Sequence, residues 1–442
     1  MKYKLPLLLL SSTPFISFAE DKPNVIIIYA DDMGYGDLSC YGGTITQTPN
    51  IDRLAKEGIR FNQYYSAAPV SSPSRTGITT GQFPLSWNIN TYLSDRKHNL
   101  NCEQKDFLDP VAPSMAKAFQ QAGYATGHFG KWHMGGGRDV DDAPAITEYG
   151  FDEYISTWES PDPDSAITSS NWIWASTDSI KRWDRTAYFI DKTLDFINKN
   201  KGKPFFINLW PDDVHTPWVP SEQYEAENSS WEKDFTFIPV LQELDRQIGR
   251  LIEVLSTSGI IDNTIIIFTS DNGPAPSFEQ ARTGELRGTK NSLYEGGIRM
   301  PMIVCWGEKI KKGKVDDTSV ICSIDFYPSL CKMAGINPED KAVFHGVDMS
   351  EALTGKKEMK RSELLFWDFG RNQYFNFPSG IHKSPHLAVR KGDWKLLCNS
   401  DGTTTELYNM LEDKFEKNNL SEIYPDITKE LKEKLIEWYN TK

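Results

Sequence analysis

The sequence predicts an α/β fold: a large, mostly parallel sheet sandwiched by helices, followed by a smaller C-terminal antiparallel sheet that packs against one helix. Four short apolar runs without polar alternation indicate strands that are covered on both faces. Helical patterns separate these runs, and the strand–helix–strand order favours parallel pairing. Towards the C-terminus the pattern changes to closely spaced strands, which indicates a second, smaller unit. The four apolar runs are residues 25–29, 124–129, 205–209 and 264–268.

Helices and further strands are indicated along the chain. Residues 115–122 have a helical pattern that ends at Gly123, and glycine is typical of the position after a helix. Residues 241–255 keep one apolar stripe through a helix that stops near Gly259. The predicted C-terminal elements are strands at 364–367, 386–390, 394–397 and 406–408 and an amphipathic helix at 427–439.

The length and net charge of the chain limit its possible domain organisation and function. A chain of 442 residues is too long for one core of ordinary size, so we predict a large α/β domain at 20–360 and a small α+β subdomain at 361–442. The formal net charge of −13 argues against a nucleic-acid partner, because neutralising phosphates requires a basic face. A small anionic substrate stays compatible with this charge, since distant surface charges are screened within about 8–10 Å.

The first 19 residues have the pattern of a secretory signal peptide. Lys2 and Lys4 precede an apolar run, and residues 17–19 supply a small–x–small cleavage pattern. We expect a mature chain that begins at Glu20 and is secreted into the periplasm. No later stretch is long and apolar enough to span a bilayer, so no stable membrane insertion is expected.

Six cysteines are spread along the chain without the CxxC spacing of a zinc site. In an oxidising compartment they could form disulfides, and the sequence does not select one pairing among the alternatives. They are Cys40, Cys102, Cys305, Cys322, Cys331 and Cys398.

Polar side chains follow the carboxyl ends of all four predicted parallel strands. They are Asp31 and Asp32, then Lys131 and His133, then residues 212–215 with His215, and finally Asp271 and Asn272. Taken singly, each is typical of a turn or a solvated surface, but open α/β sheets bind ligands at this edge. Carboxylate and amide oxygens suit Ca²⁺ or Mg²⁺, and donors from separate strand ends favour the looser geometry of Ca²⁺.

The stretch SSPSRTGITTG at residues 71–81 has the character of a helix start that binds an anion. Ser72 is predicted to cap the helix and Pro73 to occupy its first position. Unpaired N–H groups at such an end attract anions, and Arg75 adds a forked donor. A capped surface helix would explain Ser72 and Pro73 but would leave Arg75 without a role.

This stretch resembles the signature of the formylglycine-dependent type I sulfatases, which are relatives of alkaline phosphatase. Ser71, Pro73, Ser74, Arg75, Thr80 and Gly81 stand at its characteristic positions. Further similarity lies at 24–37, at 130–133 (GKWH), at 270–273 (SDNG), at 286–299 and at 388–396. The resemblance therefore covers nearly the whole predicted mature chain.

The resemblance implies a sulfatase site. Calcium would be held by Asp31, Asp32, Asp271, Asn272 and an oxygen of residue 71. The sulfate and the side chain of residue 71 would be surrounded by Arg75, Lys131, His133, His215 and Lys290. In this family residue 71, a cysteine or serine, is oxidised to Cα-formylglycine. We expect a formylglycine-generating maturase to act on Ser71 before export.

The implied reaction uses the two hydroxyls of the hydrated aldehyde. One attacks sulfur, and the other then loses its proton and expels sulfate as the aldehyde forms again. His215 or Lys290 would protonate the leaving sugar oxygen, and His133 would remove the second proton. Ser71 is either the natural precursor for a maturase that accepts serine or a replacement for cysteine. The sequence is compatible with both.

A sulfated carbohydrate is the expected substrate. Arg138 and Asp139 directly follow the GKWH segment and are predicted to contact the sugar. An irregular segment at 156–185 with Trp158, Trp172, Trp174 and Trp183, and another at 372–386, could border the pocket, although core packing explains the tryptophans equally well. Two alternatives stay open: a phosphoester or phosphonate hydrolase on the same fold, and a non-catalytic binder of sulfated glycan if Ser71 is unmodified.

Overall fold

The computed structural model describes residues 22–170, 172–222, 234–338, 343–372 and 377–441, so the predicted signal peptide lies outside the described residues. A nine-stranded sheet forms the centre of the molecule, in the order β4-β3-β5-β1-β6-β7-β2-β8, with β9 also pairing with β2. Its strands are β1 (Asn24–Ala30), β2 (Ile59–Tyr65), β3 (Ala125–Gly130), β4 (Glu153–Ser156), β5 (Phe205–Trp210), β6 (Thr264–Ser270), β7 (Arg299–Cys305), β8 (Lys314–Asp316) and β9 (Ile321–Cys322).

The central strands are parallel and covered on both faces, as predicted. β1 pairs in parallel with β5 on one side and with β6 on the other. Val25 and Ile27 of β1 belong to one apolar cluster and Ile26 and Ile28 to another, so alternate side chains enter opposite layers. The carboxyl ends of β1, β3, β5 and β6 consequently meet at one edge of the sheet.

One strand runs against the predicted pattern. β7 pairs antiparallel with both β6 and β2, which makes the sheet mixed rather than wholly parallel. Neither β2 nor β7 was among the predicted strands. The prediction of a mostly parallel α/β sheet is confirmed. Because β7 runs in the opposite direction, the segment before Arg299 lies at the edge where the carboxyl ends of β1, β3, β5 and β6 meet.

Helices cover both faces of the sheet. The predicted helix at 115–122 corresponds to α4, and the predicted helix at 241–255 is the C-terminal part of the longer α6. The α-helices described before residue 361 are α1 (Pro49–Glu57), α2 (Ser71–Thr80), α3 (Arg96–Asn101), α4 (Met115–Gln121), α5 (Arg185–Lys199), α6 (Asp234–Thr257), α7 (Glu295–Ile298), α8 (Phe326–Met333) and α9 (Ser350–Leu353).

A four-stranded antiparallel sheet, in the order β10-β11-β12-β13, follows at the C-terminus. One face packs on a final helix through an apolar cluster that includes Leu396, Leu431 and Leu435, as predicted. The division of the chain at residue 360 stays a prediction. The elements are β10 (Leu365–Asp368), β11 (Leu387–Lys391), β12 (Trp394–Cys398), β13 (Glu406–Asn409) and α10 (Pro425–Asn440).

The six cysteines, all of which lie in described ranges, are unpaired. Five of them are buried and Cys40 is partly buried, so they pack as small apolar side chains. The expectation that they could form disulfides is therefore not met. Among the helices in the described ranges, none combines the length and apolar character of a bilayer-spanning segment.

A buried ion cluster joins the small sheet to the short helix α7. Lys395 Nζ lies 2.9 Å from the carboxylate of Glu295 and 2.8 Å from that of Glu416. Burial raises the pKa of Glu416 to about 7, and the charge of Glu295 acts in the same direction although Lys395 opposes it. Glu416 therefore gains a proton more readily in the folded chain than in the unfolded chain.

We expect the free energy of unfolding to fall as pH rises through the Glu416 titration. The unfolded chain releases this proton near the ordinary value of 4.5, whereas the folded chain keeps it to about 7. The stabilisation is complete below the lower value and is lost as pH rises through the higher one. Urea unfolding measures how far the free energy of unfolding falls between about pH 5 and about pH 8. That fall should be roughly 1–3 kcal/mol smaller for Glu416→Gln than for the unchanged protein. Identical pH dependence in both proteins would contradict this account, and the exposed Glu412→Gln is the control.

Candidate active site

Four oxygen-bearing side chains meet where β1 and β6 end. Asp31 and Asp32 directly follow β1, and Asp271 and Asn272 directly follow β6, its parallel neighbour. All four side chains are buried. One carboxylate oxygen from each of the three aspartates lies within 4.8 Å of the others, so the predicted ligands form one cluster.

The side chain of Ser71 lies against this cluster. Its Oγ is 3.0 Å from Asp31 Oδ1 and 3.3 Å from Asn272 Oδ1. All ten residues of α2 are buried, so the helix is part of the core rather than a surface helix. Ser71 thus lies at the sheet edge that the sequence predicted for the site.

The predicted cap of α2 is wrong. The helix begins at Ser71, with Val70 as its extended N-cap, so Pro73 is the third helical residue rather than the first. The Oγ of Ser72 accepts a hydrogen bond from the backbone N–H of Leu93 at 2.9 Å instead of capping the helix. Because the helix starts two residues earlier than expected, residue 71 itself occupies the N-terminal turn.

Arg75 is fully buried and connects three parts of the site. Its Nη2 lies 2.8 Å from Asp271 Oδ2 and 3.2 Å from Asp31 Oδ1, and its Nη1 donates to the carbonyl of Lys131 at 3.0 Å. The guanidinium carbon lies 5.1 Å from the ring centre of Trp210. These contacts fix the orientation of the guanidinium beside the acidic cluster.

Lys131 and His133 follow β3, as predicted. Lys131 Nζ lies 2.8 Å from Asp31 Oδ2. His133 Nε2 lies 3.1 Å from the carbonyl oxygen of Leu93, and the ring is buried. Burial lowers the pKa of His133 well below 6.5, and the nearby charge of Lys131 acts in the same direction. His133 is therefore neutral at ordinary pH.

Lys290 and His215 close the opposite side of the cluster. Lys290 Nζ donates to Asp32 Oδ2 at 2.8 Å and lies 3.1 Å from His215 Nε2. Burial and the charge of Lys290 lower the pKa of His215. Its Nδ1 lies 2.6 Å from the carbonyl of Thr216 and donates to it, so Nε2 accepts from Lys290.

The C-terminal part of the chain supports the segment that carries Lys290. The backbone N–H of Gly288 donates to His382 Nδ1 at 3.1 Å, and Ser292 Oγ donates to the carbonyl of His382 at 2.8 Å. The backbone N–H of Leu293 donates to Ser384 Oγ at 2.8 Å. The described part of the irregular segment at 372–386, through His382 and Ser384, thus lies beside the site.

Charge in the cluster is unevenly distributed. Burial alone would raise the pKa of Asp31, but Lys131, His215 and Arg75 hold it well below its ordinary value. The pKa of Asp271 rises to about 7 because of burial and the negative charge of Asp31. Three carboxylates this close favour a divalent cation, which would offset their mutual repulsion.

Arg138 and Asp139 lie on the loop after the GKWH segment. The guanidinium of Arg138 is exposed and stacks over Trp158 at 4.5 Å, and the ring of Trp158 lies 5.5 Å from that of Trp172. Asp139 Oδ1 accepts from the backbone N–H of Arg96 at 3.0 Å. Their predicted contact with a sugar stays a prediction.

Sequence reasoning did not single out Glu159, which lies between Lys131 and His133. It follows the short strand β4, and no motif marks it. Asp212, in the stretch after β5, pairs with Arg182 at 2.6 Å and Arg185 at 2.9 Å. These ion pairs anchor the start of the segment that carries His215.

Comparison with known families identifies the family of this chain. A family model described as Sulfatase matches residues 23–336, well over half of the chain, and one described as N-sulphoglucosamine sulphohydrolase, C-terminal, matches residues 288–441. The chain belongs to the sulfatase family. The resemblance seen in its sequence is confirmed, and the protein is a hydrolase of sulfuric esters.

The sulfatase has relatives among curated proteins and solved structures. It is 31% identical to the N-acetylgalactosamine-6-O-sulfatase of Bacteroides thetaiotaomicron, over 94% of this chain and 92% of that protein. It is 28% identical to arylsulfatase A of Homo sapiens, over 84% of this chain and 74% of that protein.

Two solved structures share its fold. One is a Bacteroides thetaiotaomicron structure whose description concerns the metabolism of multiple glycosaminoglycans. It has a TM-score of 0.77 at 29% identity, and the match covers 95% of this sulfatase and 99% of that chain. The structure of Ps i-CgsB in complex with k-i-k-neocarrahexaose has a TM-score of 0.77 at 26% identity, with 95% and 93% covered.

Proposed function

We propose that this sulfatase removes sulfate from a sulfated carbohydrate. The observation that carries the proposal is the convergence of Arg75, Lys131 and Lys290 on the carboxylates that flank Ser71. Cationic groups fixed in this way suit the oxygens of a small tetrahedral anion whose S–O bond is breaking. The relative named N-acetylgalactosamine-6-O-sulfatase and the solved complex with k-i-k-neocarrahexaose support a carbohydrate as the organic part.

Calcium is the proposed metal. Asp31, Asp32 and Asp271 each offer a buried carboxylate oxygen, and the amide of Asn272 lies beside them. This set consists of hard oxygen donors without a cysteine or histidine, which fits Ca²⁺ better than Zn²⁺. When bound, the ion supplies positive charge that stabilises sulfate oxygens during S–O cleavage.

Residue 71 is proposed to act as Cα-formylglycine, whose hydrate supplies one hydroxyl to attack sulfur and a second to expel sulfate. The position of Ser71 beside Asp31 supports this role. Arg75 and Lys131 bind and orient the sulfate. Both cations contact Asp31, whose carboxylate lies 3.0 Å from Ser71 Oγ, and this holds them near residue 71.

Proton transfers are assigned to the remaining groups. Lys290 donates a hydrogen bond to His215 Nε2, so Lys290 can protonate the leaving sugar oxygen directly, or His215 can do so after taking a proton from Lys290 at Nε2. His133 is neutral and buried, which suits a group that removes a proton from residue 71. Arg138 and Asp139 are proposed to contact the sugar at the rim.

The test is a screen of defined sulfated mono- and disaccharides, beginning with 6-O-sulfated N-acetylgalactosamine. The protein used is first shown by peptide mass to carry formylglycine, which has two hydrogens fewer than serine. Aryl sulfate and aryl phosphate at equal concentration provide the comparison. Dominant phosphatase activity would contradict the proposal, and unmodified serine in protein from the native host would favour a non-catalytic binder.

We expect chelation of divalent ions to abolish sulfate release and added Ca²⁺ to restore it. Loss of the ion leaves three buried carboxylates to repel one another, so the melting temperature should fall as well. Elemental analysis and thermal unfolding before and after chelation measure both effects. A stoichiometric amount of zinc in the active protein would contradict the calcium assignment.

We also propose that the sulfatase is exported to the periplasm after the maturase has acted. The complete burial of α2 supports this order, because Ser71 is 1% exposed in the folded chain. A maturing enzyme reaches such a side chain only while the chain is unfolded.

A further inference from the structure

Glu159 contacts both ionisable residues of the GKWH segment. Its Oε2 lies 3.5 Å from Lys131 Nζ, and its Oε1 lies 3.3 Å from His133 Nε2. Its backbone carbonyl also accepts from the backbone N–H of His133 at 3.0 Å. The side chain is only 14% exposed, so these contacts form within the protein.

The surroundings of His133 determine which ring nitrogen carries its proton. Nε2 faces two acceptors, the carbonyl of Leu93 at 3.1 Å and the carboxylate of Glu159 at 3.3 Å. Neither acceptor has a hydrogen to give, so Nε2 must be the N–H nitrogen. Nδ1 is buried without a hydrogen-bond partner among the described residues, which leaves its lone pair available.

The other charged groups around His133 agree with a single ring proton. Burial favours the neutral ring of His133, and the charges of Lys131 and Arg75 also disfavour a protonated ring. The charge of Asp31 acts in the opposite direction. A neutral imidazole with its hydrogen on Nε2 is a base at Nδ1. Glu159 is the one carboxylate in direct contact with the ring among the described residues.

We propose that Glu159 is a positioning residue that holds His133 as the Nε2–H tautomer, with Nδ1 as the proton acceptor, and fixes Lys131 relative to it. The inference rests on the proposed function, in which His133 takes a proton from residue 71. That proton passes from the hydroxyl oxygen to Nδ1, and the oxygen keeps the electron pair of the O–H bond. The imidazolium formed keeps its Nε2–H on the carbonyl of Leu93, and the Glu159 carboxylate 3.3 Å from Nε2 offsets its charge.

Two substitutions separate the charge of Glu159 from its shape. Glu159→Leu removes both acceptor oxygens and should lower kcat by about 10–100-fold, by analogy with the loss of a contact that orients a metal-ligating histidine. Glu159→Gln keeps one acceptor oxygen and should lower kcat by roughly 3–10-fold through the lost charge. The exposed Glu148→Leu is the matched control and should keep kcat within about twofold. A wild-type kcat in Glu159→Leu would overturn the positioning role.

Neutron diffraction of the perdeuterated protein near pH 7 tests the tautomer without depending on activity. We expect deuterium on Nε2 of His133 and none on Nδ1. Deuterium on Nδ1 alone would overturn the inference even if the enzyme is active. The expected tautomer in a formylglycine-bearing protein that releases no sulfate would instead count against the proposed function. If Glu159→Leu does not fold, Glu159→Gln and the neutron result decide.

Discussion

Ser71→Ala is expected to lower kcat for sulfate release by at least about 10⁴-fold, because loss of a nucleophile removes the reaction path itself. Alanine has no side-chain oxygen to be oxidised and none to approach Asp31 Oδ1. The fold should persist, since the change removes a single atom from α2. Sulfate release and the mass of the peptide around residue 71 are the measurements.

Ser72→Ala is the matched control, one residue away and equally buried. Its Oγ accepts from Leu93 N–H, so its loss should lower the free energy of unfolding by about 1–3 kcal/mol. Turnover should stay within about fivefold of the unchanged protein. Inactivation equal to that of Ser71→Ala would show that the effect is not specific to residue 71.

Asp31→Asn is expected to abolish both turnover and binding of Ca²⁺. The pKa of Asp31 is held well below its ordinary value, so the folded protein favours its charged form. The substitution replaces a charged oxygen of the proposed calcium site with a neutral amide and leaves Lys131 and Arg75 with a weaker partner, at a cost of about 3 kcal/mol. Calorimetric titration with Ca²⁺ and urea unfolding measure the two effects.

Asp325→Asn provides a comparison for that substitution. Asp325 is buried and forms an ion pair with Arg361 at 2.5 Å, outside the acidic cluster. It should lower stability to a similar degree while leaving Ca²⁺ affinity unchanged. Wild-type Ca²⁺ affinity in Asp31→Asn would mean that the metal does not bind at the carboxyl ends of β1 and β6.

The central fold could be predicted because strands buried on both faces are continuous apolar runs. β1 and β6 show this directly, with every residue buried. β2 escaped prediction because Arg60, Asn62 and Gln63 interrupt its apolar pattern. β7 contains Pro301 and directly follows the short helix α7, so its sequence indicates a strand only weakly.

The site could be predicted where reactive or charged side chains directly follow a strand. Asp31, Lys131 and Asp271 each come directly after a buried strand, and parallel pairing brings those ends together. Glu159 could not be found this way, because it follows a four-residue strand and reaches the site through a loop contact. The prediction of a helix cap at Ser72 was wrong because its hydroxyl oxygen accepts a hydrogen bond from the backbone of Leu93 instead.

The segment that carries Lys290 depends on His382 and Ser384, which lie far along the chain. A ribosome makes these residues after the acidic cluster, residue 71 and Lys290, so a partial chain that ends before them lacks three of the contacts that hold this segment. The hydrogen bonds of Lys290 to Pro274 and Asp32 need only earlier residues. The segment therefore gains its last supporting contacts late in synthesis.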